Sequence, residues 1–430
     1  MAVEGLGSRI YQQTPANFLC NKEVSMKSQP ISASLSLFLL ACMHIITRVC
    51  AQRENYNVRH TPFADDSFNH PPFSDLSDLN ALMPRTLLRT DKMQISNMWL
   101  TPEDISSLSP KLQMIDSKIA PITTVSIPSI PPHRNPPKIT VNCKTPGTWL
   151  KCVPKCPQTV NNVEVFLADT VIDPMSKGLK WVDITYDPNA EPVKPPFNQH
   201  STEVASTIFS KKYGVVSNGK PMIYNYMLFG LSGTTNSTQV IASFNAAIQR
   251  NNYNKQRGVK TIMNLSISGG GHDDLQDDAA NAAVEAGVWV FVAAGNEGFN
   301  VCGSESPADA SKVFSVCGTE YPGNNLIYFS DWGPCDKMCM PAQIAMYDGT
   351  SLQGYRGKWI LGTSFAVPQV VALAAIDATE NPDHTFTDAQ DTILARTVPV
   401  NSTYGGTITV MLQDTACPSP TAAPTTRLRA

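Results

Sequence analysis

Across residues 161–400 the apolar positions gather into short runs separated by segments with a helical period. Val163–Ala168 is one such run. From Ser237 to Arg250, Val240, Ile241, Phe244 and Ile248 recur at helical spacing behind a serine or asparagine cap, which predicts a helix, and Val259–Ser266 then reads as a buried strand. Asp273–Ala286 carries acids in its first turn, has Gly287 just past its end, and leads into the apolar run Val288–Ala293. Phe365–Thr379 reads as a longer apolar helix, and Thr387 with Gln390 predicts a capping box for the last one. Strands that alternate with helices in this way need cover on both faces. The pattern predicts an α/β domain, a doubly wound and mainly parallel sheet with helices on both faces.

The first 160 residues lack this alternation. Leu35–Thr47 is an apolar run of 13, with Lys22 and Lys27 before it and the small residues Cys50 and Ala51 after it. It is shorter than the roughly 20 residues a membrane helix needs. Residues 1–52 therefore read as a signal-peptide region, with Met26 as an alternative initiator and a retained membrane anchor as the competing reading. Thr101-Pro102-Glu103-Asp104 places a hydroxyl at an N-cap, proline at the first helical position and acids in the first turn, and predicts a short amphipathic helix. Ile119–Pro137 holds six prolines without a helical period and reads as an extended linker, while the segment after Cys417 reads as a low-complexity tail.

Composition narrows the function classes. Lys and Arg number 33 against 36 for Asp and Glu, so no basic excess exists to hold a phosphate backbone, and nucleic acid is not an expected partner. Eight of the 11 cysteines lie from Cys143 onward, and secretion would place them where disulfides persist. Cys302 with Cys317 and Cys335 with Cys339 are the local pairs to consider, as disulfides or as free thiols. Asn236 and Asn401 stand in glycosylation sequons within polar segments, whereas Asn264 falls in a predicted buried strand.

Parallel sheets place their ligands beyond the carboxyl ends of the strands. Asp169, Asn264–Gly271 and Asn296 each follow an apolar run, and Ser364 opens the long apolar helix, where free N–H groups and the helix dipole favour a developing oxyanion. Taken singly, Ser364 reads first as an N-cap, since serine leads the preferences there. Of the histidines, only His200, His272 and His384 fall in the α/β region; the last two read as solvent-facing, and His200 lies where a polar loop turns into a helix. Asp169 to orient an imidazole, His200 as base, Ser364 as nucleophile and Asn296 as oxyanion donor form a coherent set.

Val165–Asp173 (VFLADTVID), Asn198–Ser206 (NQHSTEVAS), Val292–Gly298 (VAAGNEG) and Gly362–Ala375 (GTSFAVPQVVALAA) resemble the signature blocks of subtilisin-like serine proteases, the S8 peptidase family, in that family's order. The resemblance spans about Val163–Ala395. It implies a secreted endopeptidase acting on polypeptides through an acyl-enzyme, with Asp169, His200 and Ser364 as the triad and Asn296 at the oxyanion. It implies that substrate pairs as a strand along Ser266-Ile267-Ser268-Gly269, a run that also reads as a glycine-rich turn. It places Glu305 near the floor of the primary specificity pocket, favouring Lys or Arg, although a solvated loop carboxylate fits the same position. Ile95–Ile119 resembles the end of an inhibitory prodomain, an intramolecular partner in a small α+β fold. The division that follows is signal region 1–52, prodomain 53–122, Pro/Cys-rich linker 123–160, catalytic domain 161–400 and C-terminal extension 401–430. No cofactor is required for the chemistry. Structural calcium is common in similar proteins, yet no EF-hand-type carboxylate loop assigns it here. The expected location is extracellular, with a vacuole or an N-terminal membrane anchor as alternatives.

The chain departs from the family pattern at Ser201, Ser206, Glu203, Val171, Gln369 and Cys339–Ala342. None of these removes a catalytic atom, but lost glycines narrow close backbone approaches. A protease fold that binds peptides without turnover is the alternative reading.

Overall fold

The computed structural model describes residues 54–60, 85–89, 94–100, 118–121, 123–126, 158–188, 198–211, 214–230, 233–269, 271–320, 325–347, 357–403 and 406–411. The apolar run at Leu35–Thr47, the helix expected at Thr101, the prolines after Ser126 and the tail after Cys417 lie outside the described residues.

Near the N-terminus β1 (Glu54–His60), β2 (Arg85–Arg89), β3 (Gln94–Leu100) and β4 (Lys118–Pro121) form an antiparallel sheet in the order β2-β3-β1-β4. Then come β5 (Thr124–Ser126), β6 (Thr159–Val160), β7 (Val163–Asp169), β8 (Asp183–Tyr186), β9 (Asn218–Gly219), β10 (Met222–Met227), β11 (Thr234–Asn236), β12 (Lys260–Leu265), β13 (Trp289–Ala293) and β14 (Phe314–Thr319). The last strands are β15 (Met338–Pro341), β16 (Gln343–Tyr347), β17 (Gly357–Leu361), β18 (Thr397–Asn401) and β19 (Thr407–Met411). Nine of these build one sheet in the order β18-β19-β15-β14-β13-β12-β7-β10-β8, parallel throughout except where β18 meets β19. The helices are α1 (His200–Phe209), α2 (Ser237–Lys255), α3 (Asp274–Glu285), α4 (Val367–Glu380) and α5 (Phe386–Leu394).

β7 is buried at every position because both of its faces are covered. Val165 and Leu167 pack in one core with α1, α4 and α5, and Phe166 and Ala168 pack on the other side with α2 and α3. The fold is thus the doubly wound α/β sheet that the periodicity predicts. Glu164 is a buried charge within β7, as is Asp169 at its end. The Glu164 carboxylate accepts from Arg250 Nε and Nη2 at 2.7 and 2.6 Å and from Asn254 Nδ2 at 2.6 Å, the pairing a buried charge requires.

Three boundaries differ from the sequence expectation. The linker opening at residue 123 is not free: β5 pairs antiparallel with β11, and Thr123 N–H donates to Ser237 Oγ at 3.1 Å. The main sheet does not end at 400, since β19 pairs with β15 beside it and buries Ile408, Val410 and Met411. The capping box of α5 is Thr385 with Asp388 rather than Thr387 with Gln390. Starting the helix at Phe386 buries that ring against Trp289 and Phe291, 6.1 and 5.4 Å away between centroids.

Candidate active site

The residues singled out from the sequence meet beyond the carboxyl ends of the central strands. Asp169 closes β7, and the chain leaving it is fixed by Asn225, whose Oδ1 accepts from Ile172 N–H at 2.9 Å while its Nδ2 donates to Thr170 O at 2.9 Å. His200 is the first residue of α1. Its Nδ1 lies 2.9 Å from both Asp169 oxygens, and because a carboxylate only accepts, Nδ1 is the donor. The other ring nitrogen, Nε2, then carries the lone pair. It is buried and has no hydrogen-bond partner. Burial opposes charge on the His200 ring, but the Asp169 charge and hydrogen bond, with a smaller contribution from Glu203, outweigh it and raise the pKa above the ordinary imidazole value.

Ser364 sits in a 3-10 turn, Thr363–Phe365, between β17 and α4. Gly362 before it has φ 140°, a conformation L side chains rarely adopt, and this sets the sharp entry to the turn. The Phe365 ring lies 5.6 Å from the His200 imidazole. The Ser364 hydroxyl donates to Ser266 O at 3.4 Å, so it is not bonded to Nε2, and Ser266 Oγ donates back to Ser364 O at 2.9 Å.

Asn296 follows β13, and its amide orientation is determined by Thr363. Oδ1 accepts from Thr363 N–H at 2.8 Å and from Thr363 Oγ1 at 3.0 Å, which leaves Nδ2 as a buried donor without a partner. The loop is pinned by Asp331, whose Oδ1 accepts from Glu297 and Phe299 N–H at 3.1 and 3.0 Å. A Cβ on Gly295 would stand 2.0 Å from Asp331 Oδ2, so only glycine permits this approach. Burial, and then the adjoining Glu297 carboxyl, push the Asp331 pKa up to about 8. Thr363, Asp331 and Asn225 were not singled out from the sequence. Their roles depend on contacts 67, 34 and 55 residues away, which no local pattern carries.

A carboxylate-held imidazole, a buried serine and an unpaired amide donor beyond the carboxyl ends of the strands form the parts list for acyl transfer. The sequence model of the subtilase family matches residues 74–418. The chain belongs to the subtilase family. Among known relatives, the subtilisin-like proteinase Spm1 of Pyricularia oryzae is 32% identical over 195 residues, 41% of this chain and 34% of that protein. Cerevisin of Saccharomyces cerevisiae is 35% identical over 180 residues, 41% of this chain and 27% of that protein. The chain thus matches about a third or less of the length of these relatives. The solved structure of Sphericase shares the fold, with TM-score 0.51 and 21% identity over 63% of this chain and 97% of that one.

In this subtilase Ser266, Ile267 and Ser268 are buried and Gly269 is half-buried. Glu305 is 3% exposed and accepts a short hydrogen bond from Gly269 N–H, so it is not a solvated loop carboxylate. Burial pushes its pKa up to about 7, against the lowering effect of that hydrogen bond. Three of the departures are placed by hydrogen bonds or burial, although Gln369 Oε1 is buried without a partner. Gln369 Nε2 donates to Pro341 O and Phe365 O at 2.7 Å each, and Ser201 and Ser206 are buried within α1. His384 faces Asp377 at 3.1 Å, at the far end of the sheet beside the start of β12.

The cysteine pairing overturns the sequence expectation. Cys302 bonds Cys335 and Cys317 bonds Cys339. Cys317 and Cys339 are register partners on β14 and β15, which brings them together across the sheet. Asn236 is not a free loop sequon but the N-cap of α2, its Oδ1 accepting from Gln239 N–H at 3.0 Å. Asn264 is fully buried.

Proposed function

We propose that this subtilase is a secreted serine endopeptidase that cleaves polypeptides through an acyl-enzyme. The observation that carries the reading is the buried His200 ring, held at Nδ1 by both Asp169 oxygens and left without a partner at Nε2. Rotation of the Ser364 side chain away from Ser266 O gives its proton to Nε2 as Oγ attacks the scissile carbonyl. Asn296 Nδ2 and the Ser364 N–H receive the oxyanion, and Asp169 stabilises the imidazolium. The imidazolium then protonates the leaving amine, and a water activated by the same nitrogen releases the acid.

Substrate adds as a strand along Ser266–Gly269, with Glu305 at the floor of the primary pocket favouring a basic side chain. An N-terminal inhibitory segment removed on maturation completes the proposal. In this mechanism the chain's own groups and water suffice, and no cofactor takes part. Among the described residues no helix is long and apolar enough to cross a membrane.

The Ser364 hydroxyl bonded to Ser266 O favours a second reading, a peptide-binding protein without turnover. One experiment separates the two. A fluorophosphonate probe on the secreted protein is expected to label Ser364, with labelling lost in His200→Ala and Ser364→Ala. A folded wild type that stays unlabelled and leaves a peptide library uncut overturns the peptidase reading.

A further inference from the structure

Outside the catalytic cluster, one group of side chains has more acceptor capacity than its protein partners use. His272 precedes α3, Asp277 lies in the first turn of α3, and Asp309 comes from the loop after Glu305. One donor atom from each lies within 4.8 Å of the others. His272 Nδ1 is 3.2 Å from Asp309 Oδ2 and 3.6 Å from Asp277 Oδ2, while Nε2 of the same ring faces Asp274 Oδ1 at 3.2 Å. The Asp309 side chain is only 5% exposed, and its Oδ1, like Oδ1 of Asp277, is buried with no hydrogen-bond partner. Gly303 N–H donates to the same Asp309 Oδ2 at 2.8 Å and holds the carboxylate in place, as the outer partner of a metal ligand does.

We propose that His272, Asp277 and Asp309 form a site for a first-row divalent cation, zinc by preference. A tetrahedral ion with bonds of about 2.0–2.2 Å sets its ligand atoms roughly 3.4 Å apart, which matches the imidazole–carboxylate distances found here. An imidazole among the donors selects against calcium and magnesium, which take oxygen. His272 is 43% exposed, so the ion enters from solvent and a water completes the shell. The site ties together two stretches of chain near the proposed specificity pocket. His272 stands three residues after Gly269 and Asp309 four after Glu305, and the stretches already meet through Ser306 N–H to Gly271 O at 3.2 Å and Asp273 N–H to Ser306 Oγ at 2.9 Å. The inference does not depend on turnover.

Calorimetric titration of the chelator-stripped, full-length Ser364→Ala protein with zinc chloride and, separately, calcium chloride tests it, since that variant cannot process itself. The expected result is one saturable zinc site, tighter than calcium, weakened by more than 10-fold in both His272→Ala and Asp309→Asn. Zinc is also expected to raise the melting temperature of the parent and not of the variants. If Asp309→Asn does not fold, the surface substitution His272→Ala decides. Absence of saturable zinc binding, equal zinc affinity in parent and His272→Ala, or calcium binding more tightly than zinc each overturns the proposal.

Discussion

The Asn296 amide has one orientation compatible with its neighbours, because Thr363 occupies its oxygen twice. Its Nδ2 is therefore left without a partner, open to the oxyanion of the proposed mechanism. Asn296→Ala is expected to lower kcat by about 10²–10³-fold with KM little changed, measured on a peptide substrate. Charge around His200 sets the pH response. Only the neutral ring accepts the Ser364 proton, and Asp169 and Glu203 hold its pKa above the ordinary value, so kcat/KM is expected to rise with pH through an inflection above that of free imidazole. Glu203→Gln removes one of the negative charges and is expected to move that inflection to lower pH; an unmoved profile would show that Glu203 does not act on the ring. Asp169, His200, Asn296 and Ser364 could be singled out as candidates in the sequence because each lies in a short block of distinctive residues. Asp331 was not, because Ser330-Asp331-Trp332 carries no local mark of the loop it pins.

At the level of strands and helices, positions were legible and partners were not. Val259–Ser266 and Val288–Ala293 were read within a residue of β12 and β13, since burial on both faces leaves an uninterrupted apolar run. The cap of α5 was misplaced by two residues because Thr-x-x-Asp and Thr-x-x-Gln both occur there, and only the tertiary burial of Phe386 chooses between them. The Cys317–Cys339 pairing was hidden for the same reason, as it follows the register of β14 against β15. The cap of α2 gives a test at this scale. Asn236→Ala is expected to destabilise the protein by about 1 kcal/mol through the lost bond to Gln239 N–H, read from thermal unfolding of the full chain, whereas Asn236→Asp is expected to preserve it.

For the molecule as a whole, buried carboxyls decide how stability varies with pH. Asp331 at about 8, and Glu305 and Asp336 at about 7, are raised in the folded state. A raised carboxyl contributes stability that is fully present below its unfolded value near 4 and is lost as pH climbs through its folded value. The melting temperature is thus expected to fall between about pH 5 and 8, and Asp331→Asn to flatten that slope; a variant with the parent's slope would remove Asp331 from the account. The N-terminal sheet is part of the same folded body, since Leu87 and Ile95 share a core with Val240, Ile241 and Phe244 of α2. Ile95→Ala is expected to cost about 2–5 kcal/mol and to expose β1–β4 to limited proteolysis before the rest. The pairing of β5 with β11 has a further consequence for a nicked chain. A peptide bond broken downstream of Ser126 would divide the polypeptide without dividing the particle, because the upstream fragment keeps both its apolar seat on α2 and a ribbon of backbone bonds to Thr234–Asn236. The two fragments should travel together through gel filtration and part only when denaturant is added.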